Sequence, residues 1–113
     1  MSEFLMLFRS DVSLERPSPE QMQAMMKQWQ DWMGSIAAQN KLASAGNRLT
    51  AEHAKIVKPG GVITNGPFVE LKEAVGGYIV VKCDSAEEAA ELAKGCPILH
   101  IGGSVEVRLV IPM

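Results

Sequence analysis

The sequence predicts an α+β fold, and three observations carry that expectation. The runs at residues 3–9, 77–83 and 104–111 have the length and composition of strands. Residues 19–39 and 86–93 repeat apolar positions at helical spacing. The strands carry apolar residues on both faces, so a single helical layer leaves one sheet face to be covered by something else.

Phe4, Met6 and Phe8 alternate with Leu5 and Leu7, and Arg9 continues the second set at its polar end. The long helix opens on Ser18, an N-cap residue, with Pro19 at the first helical position and Gln21 at capping-box spacing. Met22, Met25, Met26, Trp29, Trp32, Met33 and Ile36 then fall within an arc of about 120°, the signature of an amphipathic helix. That stripe is expected to pack on the sheet along its whole length. Leu42 to Leu49 is rich in small residues with a Gly46-Asn47 punctuation, which predicts at most a short strand and a turn.

Residues 53–58 and 61–64 flank Pro59-Gly60 and predict a hairpin. Asn65-Gly66-Pro67-Phe68 follows as a rigid corner, because Gly accepts positive φ and Pro fixes its own. Gly77 to Cys83 is the strongest strand and is expected at the centre of the sheet. A second helix opens at Ser85 with Ala86, Ala89, Ala90 and Ala93 as its apolar stripe, and Gly95-Cys96-Pro97 ends it. In the last strand Val105, Val107, Leu109 and Ile111 share one face, with Glu106, Arg108 and Val110 on the other. The order strand, long helix, hairpin, strand, short helix, strand is a ferredoxin-like plan with an antiparallel sheet and two helices on one face. A twofold homodimer with facing sheets is the economical cover for the second face.

A chain of 113 residues fits one domain spanning residues 1–113. Hydrophobic residues at 47% and charged residues at 21% exclude disordered and fibrous classes. Eleven basic against thirteen acidic residues, without a basic run, give no footprint for nucleic acid. No apolar run is long enough to span a membrane and the start has no secretion signal, so a cytoplasmic protein is expected. Cys83 and Cys96 stand outside any Cys-x-x-Cys pair and read as small buried thiols.

The stretch Thr64-Asn65-Gly66-Pro67-Phe68-Val69-Glu70-Leu71-Lys72-Glu73, then Gly76-Gly77-Tyr78, Ser85-Ala86, Pro97 and Val105-Glu106-Val107-Arg108, resembles the YCII-related domain family in its DGPF branch. The resemblance implies a dimeric α+β barrel and, for most members, no assigned reaction. Some members are encoded near extracytoplasmic-function sigma factors, and the wider superfamily includes muconolactone isomerase-like enzymes and a dehalogenase. Asn65 stands where the branch usually has Asp. An amide has no acid or base function but makes the same side-chain turn, which favours a structural role for this position.

Glu106 and Arg108 project side by side from one strand face and need partners if that face is covered, with Arg9 and Glu73 available. Tyr78 adds a ring and a hydroxyl. Asn65, Phe68 and His53 are further candidate ligand contacts. Two readings follow. In one, Glu73 or Glu106 is the acid/base of a cofactor-independent isomerase or lyase acting on a small oxygenated molecule, with Arg108 as anion anchor. In the other, the chain is a dimeric small-molecule-binding or accessory module and the ion pairs are structural. No metal or cofactor is expected, since His53 and His100 lie far apart and neither a phosphate loop nor a dinucleotide fingerprint is present.

Overall fold

The computed structural model describes residues 1–10, 18–66 and 74–113. The main sheet contains β1 (Ser2–Ser10), β2 (Leu42–Arg48), β5 (Ala74–Cys83) and β6 (Ser104–Leu109) in the order β2-β5-β1-β6. β1 pairs antiparallel with both β5 and β6, and β2 pairs antiparallel with β5. With α1 (Pro19–Ala38) and α2 (Ala86–Ala93) between strands, this is the expected ferredoxin-like arrangement. The strong strand at residues 77–83 is central, and it begins three residues earlier than its apolar run suggests.

The predicted hairpin forms as β3 (Lys55–Lys58) and β4 (Val62–Asn65), but it makes a separate two-stranded sheet. Its place in the main sheet is taken by β2, a seven-residue edge strand where only a short strand and a turn were expected. Register irregularities between Leu42, Ser44 and Asn47 break the alternation that would have revealed it. Gly46 is the pivot. Its φ is 61°, and a Cβ there would fall on the backbone carbonyl of Tyr78.

The core fills the space between the helices and one sheet face, where Phe4, Met6, Phe8, Ile79, Val81 and Cys83 are all buried. The capping box at the start of α1 is present: Ser18 Oγ accepts from the Gln21 N–H at 3.2 Å and Gln21 Oε1 accepts from the Ser18 N–H at 2.9 Å. Phe8, Trp29 and Trp32 form a triangle of edge-to-face rings with centroids 4.8, 5.9 and 5.7 Å apart. Packing of α1 is confined to its C-terminal part. Trp32 and Ile36 are buried, whereas Met22 and Met26 are 46% and 57% exposed, so the stripe does not seat along its whole length. Trp29 already meets Phe8 near the end of β1, and the turns before it carry past that strand.

α2 is also narrower in contact than its sequence suggests. Ala89 and Ala93 are buried and Leu92 is partly so, while Ala86 and Ala90 are exposed; the contact arc is rotated toward Leu92. The helix opens where expected, and Ser85 caps it, with Ser85 Oγ accepting from the Glu88 N–H at 3.1 Å. Cys83 and Cys96 are buried free thiols, and burial pushes the Cys96 thiol up to about 11. β6 ends at Leu109, short of the expected Ile111. Val105 and Val107 pack on the core, but Leu109, the last residue of this edge strand, is exposed.

One ion pair ties the entry of β2 to α2. Lys41 Nζ lies 2.7 Å from Glu88 Oε1. This bond, with the Asp84 N–H donating to Glu88 Oε2 at 3.3 Å, holds the Glu88 carboxyl below the usual carboxylate range. The same bond holds Lys41 above the usual lysine value. A lowered carboxylate pKa adds stability above the ordinary carboxylate value and loses it as pH falls through the lowered one; a raised lysine pKa adds stability that is lost as pH rises through the raised one. Glu88→Gln is therefore expected to make the acid limb of stability shallower, measured by urea unfolding across a pH series. An unchanged acid limb would show that the pair is not coupled to folding.

Candidate functional site

The sheet face opposite the helices carries the candidate site. Antiparallel register places Tyr78 opposite Leu7, and Leu7 opposite Glu106. The next row holds Val80, Leu5 and Arg108. Leu5, Leu7, Tyr78, Val80 and Glu106 are all half-buried, so this face is an apolar strip flanked by polar groups.

Arg9 faces Ser104 across the β1–β6 ladder, which makes Glu106 its diagonal neighbour and within reach of a long side chain. Its Nε donates to Glu106 Oε1 at 3.1 Å, and its Nη2 lies 3.0 Å from the same oxygen. From the same strand, Arg108 Nη1 donates to Glu106 Oε2 at 3.0 Å. Both carboxylate oxygens are thus engaged. Arg108 first, and Arg9 second, hold the Glu106 carboxyl below the usual range and keep it ionised at neutral pH. Arg108 itself remains 68% exposed.

At the other end of the strip, Asn47 Nδ2 donates to Tyr78 Oη at 3.1 Å. Asn47 stands opposite Tyr78 because the β2 irregularity around Gly46 turns it there. Sequence reasoning missed this residue. The Gly46-Asn47 pair was visible in the chain, but as turn punctuation and not as a bulge that aims a side chain into a sheet face.

A family model of the YCII-related domain matches residues 4–113. The chain belongs to the YCII-related domain family. The match runs from the first buried residue of β1 to the final residue, so Arg9, Tyr78, Glu106 and Arg108 all fall inside the YCII-related domain. No curated protein matches the chain.

The structure thus brings together four of the residues singled out in this YCII-related chain: Arg9, Tyr78, Glu106 and Arg108 share one sheet face. It places two others at the hairpin, whose strands, among the described residues, pair with each other and not with the main sheet. Asn65 is the last residue of β4, and its Oδ1 accepts from Lys55 Nζ at 2.6 Å. His53 is exposed at φ 62°, just before β3. Phe68 and Glu73, together with Glu70 and Lys72, lie outside the described residues.

Two grooves are formed by described residues in the helical layer. One, of about 430 Å³, is bounded by Gln28, Asp31, Trp32, Pro97 and His100. The other, of about 190 Å³, lies among Ala90, Ala93, Leu99, Val105 and Val107. Neither includes Arg9, Tyr78, Glu106 or Arg108. Among the described residues no three His, Cys, Asp or Glu side chains gather as metal ligands, and no helix is long and apolar enough to cross a membrane.

Proposed function

We propose that this YCII-related protein is a homodimeric small-molecule-binding module of the DGPF branch, one domain over residues 1–113, working in the cytoplasm. In this reading the outer sheet faces of two copies enclose a barrel-like cavity. The observation that carries it is the composition of that face: Leu5, Leu7, Val80 and the Tyr78 ring form an apolar strip on the side of the sheet away from both helices. Such a strip is the kind of surface that association buries. An accessory role beside stress-control sigma factors is the further expectation raised by the DGPF resemblance.

Binding is favoured over acid–base catalysis by the state of Glu106. A general acid or base works best with a pKa near the operating pH, and Glu106 is driven the other way by two guanidinium groups that also occupy both of its oxygens. It is built to hold Arg9 and Arg108 in place.

Sedimentation at micromolar concentration is expected to give twice the 12.2 kDa chain mass. Leu7→Glu sets a charge at the middle of the strip, and it is expected to weaken association by about a hundredfold or more while leaving the helix-side core intact. A wild-type protein sedimenting at the single-chain mass overturns the reading.

A further inference from the structure

The two polar ends of the outer strip are chemically alike, since each presents a hydrogen-bond donor. At one end Arg108 uses Nη1 for Glu106, and a guanidinium has five N–H donors, so most of its donor capacity stays available to an incoming group. At the other end Tyr78 Oη accepts from Asn47, which leaves the phenol its own proton to donate. Glu106, the acceptor between them, is already filled by Arg9 and Arg108. Two strand spacings and one same-face step along a strand put the Tyr78 and Arg108 backbones about 12 Å apart, and the surface between them is Leu5, Leu7 and Val80.

We propose that this face binds a small, flat organic acid, with its carboxylate on Arg108, its apolar body over Leu5, Leu7 and Val80, and a carbonyl or hydroxyl oxygen at its far end accepting from Tyr78. The class follows from complementarity. A planar guanidinium matches a carboxylate through paired hydrogen bonds, an apolar floor matches a ring or unsaturated chain, and a directed phenol proton matches an oxygen acceptor. Cationic ligands meet two guanidinium groups, and the carboxylate between the two ends, Glu106, is engaged by both of them. Asn47 is a positioning residue, fixing the direction of the Tyr78 proton. The inference rests on the reading of the outer face as the wall of a ligand cavity in the dimer.

The test uses the full-length protein and four probes: 4-acetylbenzoate, benzoate, acetophenone and benzylamine. Affinities come from calorimetry and the location of binding from amide chemical shifts of β1, β5 and β6. 4-Acetylbenzoate is expected to bind about fivefold more tightly than benzoate, and at least about tenfold more tightly than acetophenone, with benzylamine weakest. Tyr78→Phe is expected to erase the advantage of 4-acetylbenzoate over benzoate while leaving benzoate unchanged. Asn47→Asp, which takes up the Tyr78 proton, is expected to do the same to the acetyl advantage. Arg108→Gln is expected to weaken both acids about tenfold and to leave acetophenone unaffected. Acetophenone or benzylamine binding as well as the acids overturns the inference, as does an acid preference that survives Arg108→Gln or a complete lack of outer-face shifts in a protein that sediments as a dimer. Each of those results leaves the dimer reading standing, whereas a monomeric mass removes the reading beneath it.

Discussion

Gly46→Ala is expected to lower the stability of the fold by about 3 kcal/mol, a fall in melting temperature on the order of 10–15 °C for a chain of this size. Two costs combine. A φ of 61° is strained for any residue with a Cβ, and here the added carbon would fall on the Tyr78 carbonyl, which is backbone in a central strand and has nowhere to go. Relief requires β2 to lift away from β5. That movement also withdraws Asn47 from Tyr78, so below its melting temperature the variant is expected to lose the Tyr78-dependent part of ligand affinity and to keep the Arg108-dependent part. Calorimetric melting together with the probe titrations checks both. A variant within about 0.5 kcal/mol of wild type would show that β2 does not hold the close approach to β5.

Trp32→Ala is expected to cost about 4 kcal/mol, within the range for removing a large buried aromatic side chain. Trp32 is 8% exposed, meets Phe8 and Trp29 edge to face, and donates from Nε1 to the Leu92 carbonyl at 2.9 Å, which links α1 to the end of α2. Gly95 lies so close that a Cβ there would sit 3.0 Å from the indole Cδ1. Trp32→Phe keeps much of the ring packing and loses only the indole donor, and it is expected to cost about 1–2 kcal/mol. Urea unfolding separates the two through their midpoints at a common slope. Equal losses for both variants would mean that the hydrogen bond, and not the aromatic triangle, seats α1.

Much of the fold was legible because its signals are local. The alternation in β1, the capping box at Ser18, the Pro59-Gly60 turn and the start of α2 after Ser85 each lie within a few residues, and each appears where the chain predicted it. The expectations that failed depended on distant partners. Whether Met22 and Met26 are covered depends on where α1 crosses the end of β1, and whether Leu109 is covered depends on β6 lying at the edge of the sheet. β2 has no pattern of its own, since its register comes from β5 and its bulges erase the period of two.

The same division runs through the candidate site. Glu106 and Arg108 could be placed on one face from their spacing alone, and Arg9 could be named as a partner, because alternation along a strand is a property of the chain. Which partner is taken is a matter of register between β1 and β6, where a slip of one residue would have sent Arg9 to the core face. Tyr78 and Asn47 meet only because β2 and β5 are neighbours through a bulge at Gly46. Asn65 and His53 lie close in sequence to the strongest motif, yet one ends a hairpin outside the main sheet and the other sits in the turn before it. The sequence by itself determined the family, both helices, every strand but β2, and the faces of β1 and β6. Tertiary structure alone decided which polar groups share the outer face, because strand order and register join residues that no local period relates.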